Sequence, residues 1–156
     1  MCYLRVNVHL EVPILTAAQL FQIANPLALL GWIVLIASIL LNKPVWRDQL
    51  AGRFWPLGLS ALYTALIVFF FFKAPGGFDT LDNVQLLFTS EWAALAGWVH
   101  YLAFDLFLGA WISREVITGG MSRLLLLPLL PLTFMFGPAG LLGFEVAWLL
   151  FQRKTA

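Results

Sequence analysis

His100 and Asp105 sit in the middle of an apolar stretch, residues 91–112, that is long enough to cross a bilayer. Ionisable groups at hydrocarbon depth are costly, and their presence there points to a task. A carboxyl group in that setting has to be protonated, paired or hydrated. A neutral acid and a base are the components of general acid–base chemistry. A lone histidine in a span can also ligate the metal of a haem or a chlorophyll-type pigment. Five helical positions separate the two residues by about 140° around the axis and about 7.5 Å along it. They cannot form one rigid dyad, so they are expected to address different neighbours or two sides of one cavity. Tyr101 shares the Asp105 face, four residues away, with Gly97 one turn above. His100 begins another stripe with Phe104, Phe107 and Trp111.

The elements that would position these groups are helices in a membrane. The chain has 156 residues, 62% of them hydrophobic and 11% charged, with a mean hydropathy of +0.90. Soluble domains carry about 25% charge. A net charge of +1 supplies no field for nucleic acid, and none is expected as a partner. The single cysteine, Cys2, excludes an intrachain disulfide and a paired-cysteine metal or redox site. HExxH, a P-loop, a serine nucleophile elbow and a His/Cys cluster are all absent, so no metal site is expected. The 14 Phe and 7 Trp suit lipid contact and interface belts, or a surface for a flat or polyene ligand.

Four apolar stretches predict an all-α polytopic protein, an antiparallel bundle with spans near 18–41, 56–73, 91–112 and 124–150. Residues 1–17 alternate apolar and polar, as in a short extended segment, and 152–156 read as a basic tail. Residues 42–55 and 113–123 read as loops, and 81–88 as a short interfacial helix. Thr89 or Ser90 is expected to cap the third span, with Glu91 in its first turn. Loops one and three carry Lys43, Arg47, Arg53, Arg114 and Arg123, and the opposite side carries Arg5, Lys73, Arg153 and Lys154. By the positive-inside rule the two loops face the cytoplasm and both termini face out.

Pairing the third and fourth spans as antiparallel neighbours brings His100 and Asp105 level with Gly137 and Pro138. Pro138 removes a backbone donor, and the glycine allows close approach. Glu145 then lies two turns further on, towards Asn25 and Glu91. A polar pocket of Asn25, His100, Asp105 and Glu145 is the expectation. Simpler roles compete: His100 bonding a freed carbonyl, Asn25-Pro26 as a packing device, and Phe69–Phe72 as lipid contact.

The string Gly97-Trp-Val-His-Tyr-Leu-Ala-Phe-Asp-Leu-Phe-Leu-Gly-Ala-Trp111 is similar to a signature of the abscisic-acid-deficient-four-like membrane family. Leu132-Thr-Phe-Met-Phe-Gly-Pro-Ala-Gly-Leu-Leu142 resembles its second signature, and Leu20–Asn25 with Gly31-Trp32 fits its first span. The resemblance covers residues 18–151. It implies a small four-helix membrane protein of plastids, cyanobacteria and other bacteria, associated in plants with the rearrangement of violaxanthin into neoxanthin. It carries over Asn25, Trp98, His100, Asp105, Gly137 and Pro138. A short chain without a plastid transit peptide leads us to expect a bacterial source, in an inner or photosynthetic membrane, and a carotenoid or related isoprenoid as substrate. One reading is then an isomerase of the neoxanthin synthase type. Asp105 is its acid and His100 its base, and Asn25, Trp98, Tyr101, Phe104, Gly137, Pro138 and Glu145 contact the substrate. The other is a pigment-binding or assembly subunit of a photosynthetic membrane complex, with His100 as axial ligand of a chlorophyll-type pigment and carotenoid also bound. A transporter is weaker, because four spans show no repeat.

Overall fold

The computed structural model describes residues 15–155, so the expected extended segment falls almost wholly outside the described residues. Helix α1 spans Ala17–Leu40. Thr16 and Gln19 cap it reciprocally: the Gln19 N–H donates to the Thr16 hydroxyl (3.2 Å), and the Thr16 N–H donates to the Gln19 side chain (3.0 Å). Helix α2 (Trp55–Phe70) follows a π-helical segment, Trp46–Phe54. Helix α3 (Leu81–Leu87) is the expected short helix. Helix α4 covers Glu91–Thr118, capped by Ser90. Helix α5 covers Leu126–Thr155. Among the described residues, four helical stretches are long and apolar enough to cross a membrane, which makes this an all-α polytopic protein.

Two expected loops are helical. Residues 46–54 wind as a π-helix that runs into α2, and α4 continues through Arg114 to Thr118. Pro56 explains the first: its ring clashes with an α-helical carbonyl four residues back. The wider turn avoids the clash, and the Trp55 N–H reaches back five residues to Leu50. Arg47 and Asp48, which read as loop charges, bond each other at 2.7 and 3.0 Å and leave Arg47 buried.

Helix α4 is the centre of the bundle. It packs against α1, α2, α5 and the π-helical segment. Gly31 and Gly109 permit the α1–α4 contact, where an added Cβ would meet Leu106 and Trp32 respectively. Asn25 meets Trp98 and Trp32 meets Gly109, so α1 and α4 run parallel. Tyr63 meets His100 and Phe70 stacks on Trp92 at 3.9 Å, so α2 runs antiparallel to α4. In the phenylalanine run, Phe69 and Phe72 point outward, while Phe70 and Phe71 pack inward against Trp92 and Phe78.

Helix α5 does not cross in one direction. Phe136 has φ −148° and ψ 58°, and the chain doubles back there. Gly140 lies against Thr133, and Gly143 against Leu129 and Leu132. In a straight helix residues 129 and 143 would stand about 21 Å apart. The incoming half, before Phe136, reaches Trp32 and Tyr101 at its tip. The returning half runs alongside α4: Gly137 at Asp105, Phe144 at Trp111, Trp148 at Gly119. Local chemistry favours this. Pro138 opens the returning half, where its missing N–H would have had no helical partner. The two glycines let the halves close. The expected single antiparallel fourth span is therefore folded back as a hairpin, with both of its ends at the same end of the bundle. The tail expected at 152–156 continues the returning helix through Thr155.

An added Cβ at Gly140 strikes Thr133, whereas Gly58 faces open space. Gly140→Val should cost about 1–3 kcal/mol by overpacking the hairpin. Gly58→Ala should be neutral or stabilise by up to about 1 kcal/mol. Thermal unfolding in mild detergent checks both.

Candidate functional site: a buried carboxyl at the hairpin tip

Asp105 is 6% exposed and faces the hairpin tip. Its carboxyl accepts from the Gly137 N–H, the first donor of the returning half-helix. A helix N-terminus presents unpaired N–H groups and partial positive charge, so it suits a carboxyl oxygen. A Cβ on Gly137 would overlap that carboxyl, and glycine is what permits the contact. The second oxygen, Oδ2, is buried with no hydrogen-bond partner among the described residues. Such atoms are rare in native proteins and call for an explanation.

Three further groups line up with it. The Tyr101 hydroxyl lies beside the Asp105 carboxyl and donates to the Phe134 carbonyl at 3.1 Å. That carbonyl stands two residues before the break in α5. Trp98, one turn before Tyr101, stacks on it at 5.5 Å and donates its indole N–H to the Asn25 side chain at 2.6 Å. Trp98, Tyr101 and Asp105 thus form one stripe of α4, covered by Asn25 of α1 and by the hairpin tip. Beyond Trp98 the stripe opens into an apolar cavity of about 390 Å³ lined by Ala17, Phe21, Ala94 and Leu95, with Glu91 at its edge.

Asn25, Trp98, Tyr101, Asp105 and Gly137 are brought together as expected from the sequence. His100, Phe104 and Glu145 are not. His100 is exposed on the α2 face, 5.4 Å from Tyr63 and 4.6 Å from Phe104 by ring centres. The 140° offset decides this, and equal depth does not overcome it. His100 borders a separate aromatic cavity of about 260 Å³ with Tyr63, Phe71, Phe78 and Phe88. Phe104 is likewise exposed, over Pro56 and Ser60. Glu145 is exposed on the returning half, about 12 Å past Gly137. The fold-back carries it towards Arg114, away from Asn25. Pro138 is exposed at the tip. Sequence reasoning missed the Phe134 carbonyl and the Gly137 N–H, which are backbone groups that no side-chain pattern marks. Among the described residues no cluster of His, Cys, Asp and Glu could hold a metal ion.

A broken helix at membrane depth, its tip sealed by a buried carboxyl, defines a polytopic membrane protein with an internal polar site. The chain belongs to the ABA DEFICIENT 4-like family, which matches it over residues 19–144. That membership ties it to carotenoid and abscisic-acid-related metabolism. No curated protein and no solved structure matches the chain.

The Asp105–Gly137 contact should appear as a coupling energy. Gly137→Ala should destabilise the protein by about 1–3 kcal/mol. In an Asp105→Ala background, where the carboxyl no longer blocks the Cβ, the same change should cost at least about 1 kcal/mol less. Unfolding of the four proteins of this cycle in detergent measures the difference.

Proposed function

We propose that this protein is a membrane-embedded isomerase of a carotenoid or related isoprenoid, with Asp105 as the group that moves protons. The observation that carries this reading is the buried Oδ2 without a partner at the hairpin tip. The Tyr101 hydroxyl beside Asp105 donates to the Phe134 carbonyl, and Asp105 itself is buried away from water. A protonated Asp105 suits such surroundings and can act as an acid. In the opening of an allylic epoxide, the carboxyl proton passes to the epoxide oxygen as a C–O bond breaks. A neighbouring C–H then yields its proton to the carboxylate, and its electron pair forms the new double bond of an allene. One proton is given and one is taken, nothing leaves, and Asp105 returns to its starting state. His100, on another face of α4, takes no part in this step, and the base role expected for it passes to Asp105. Tyr101 and Asn25 orient the polar end of the substrate, and the apolar cavity beyond Trp98 receives part of its hydrocarbon.

A specific observation favours a second reading. His100 stands at an aromatic-lined cavity open to the α2 face, a setting suited to binding a flat pigment. In that reading the protein holds pigment without transforming it.

Expression in a carotenoid-producing host, with chromatography of the extracted pigments, separates the two. The isomerase reading expects the chain to alter the carotenoid profile. Asp105→Asn should reduce the new product at least about hundredfold, the scale of general acid–base catalysis. His100→Ala should leave it within about twofold. Full product from Asp105→Asn would overturn the assignment. An unchanged profile, with pigment that co-purifies and is lost in His100→Ala, would establish the second reading.

A further inference from the structure

The hairpin creates a second feature, at the membrane face where its two ends emerge. There the incoming half of α5 lies beside the end of α1. Between them runs an apolar groove of about 410 Å³, walled by Ile36, Leu40, Leu124, Leu127, Leu130 and Pro131. Arg123 stands at its rim and donates to the Asn42 side chain at 3.1 Å. Across Ile39 lies a polar cavity lined by Ser38, Asn42, Lys43, Arg47 and Thr118. Asn42 holds the corner between the two with φ 54°, a conformation that asparagine tolerates well. The charges here are not balanced. Arg47 is neutralised by Asp48, but Arg123 and Lys43 have no carboxylate partner among the described residues.

We propose that this corner is a binding site for one anionic phospholipid. Its phosphate lies between Lys43 and Arg123, and one acyl chain fills the groove between α1 and the incoming half of α5. Charge complementarity argues for the headgroup, since basic pockets between helices at a membrane face bind anionic lipids. The guanidinium is also pre-oriented, because Asn42 fixes it without consuming its charge. The wall residues argue for the chain: they are aliphatic and line the hairpin's outer surface. A bound lipid would cover Leu124 and Leu127, both more than 70% exposed, and would brace the incoming half against α1.

Native mass spectrometry of the full chain, delipidated in detergent, tests this with phosphatidylglycerol against phosphatidylcholine of the same acyl chains. One phosphatidylglycerol should be retained in preference. Lys43→Gln and Arg123→Gln should each weaken its retention about fivefold, while Arg123→Lys keeps most of it. Arg114→Gln, at a cation on the same side but paired with Glu115, should have no effect. Leu127→Trp should reduce retention of phosphatidylglycerol by filling the groove, and glycerol phosphate without chains should not bind. Equal retention of the two lipids would overturn the proposal. So would an equal loss from Arg114→Gln, which would show attraction to the basic face as a whole, or full retention in Leu127→Trp. Elution and helical content matching the parent protein show that each variant is folded.

Discussion

The contact between the Asp105 carboxyl and the Gly137 N–H is the constraint on which this structure turns. A helix that reverses inside a bilayer exposes unpaired backbone groups to hydrocarbon, at a cost of several kcal/mol for each group left unsatisfied. At this tip, Asp105 accepts the first N–H of the returning half, Tyr101 donates to the Phe134 carbonyl near the end of the incoming half, and Pro138 has no N–H to satisfy. The same contacts remove Asp105 from lipid and bring it beside a helix N-terminus. Each arrangement stabilises the other, because a lone buried carboxyl and an unsealed helix break are both unfavourable. Helix α4 lies at the centre because it alone must serve α1, α2 and both halves of the hairpin.

The reversal also changes the charge distribution. With the returning half of α5 emerging beside Gly119, Arg153 joins Lys43, Arg47, Arg53, Arg114 and Arg123 at one end of the bundle. Among the described residues only Lys73 remains at the other. The charge bias therefore sharpens, and the end of α5 lies at the basic end of the bundle, opposite the start of α1, so the two described ends do not share a side as expected. At the opposite end the loop after α2 folds onto α3. Gly77 donates to Asn83, and the Asn83 side chain donates to Asp79 and holds that carboxyl below its ordinary pKa range. Phe78 is thereby set into the wall of the His100 cavity.

Much of this was legible in the sequence, for reasons that also explain the failures. Apolar length marks helices well, so the four stretches, the Ser90 cap and α3 could all be read. Length carries no direction, and a 31-residue apolar run from Arg123 to Arg153 reads the same whether it crosses or turns back. The pattern that encodes the turn is Pro138 beside Gly137, with Gly140 and Gly143 to let the halves close. It could be read as a break but not as a reversal. The angular spacing of His100 and Asp105 forbade a dyad, and the structure keeps them on separate faces. Depth matching drew His100 into the polar cluster because depth is blind to which face of the helix a residue occupies. Trp98 and Asn25, 73 residues apart, meet because α1 and α4 run parallel, as first and third helices of an up-and-down chain must.

The most direct test of the central claim is the sidedness of the two ends of α5. Single cysteines placed at Ser122, Arg153 and Asp79, in a Cys2→Ser background, can be labelled in sealed vesicles with a membrane-impermeant thiol reagent. The fold-back requires that positions 122 and 153 react from the same side and position 79 from the other. Labelling of 122 and 153 from opposite sides would mean that α5 crosses the membrane, and would remove the tip on which the Asp105 site depends.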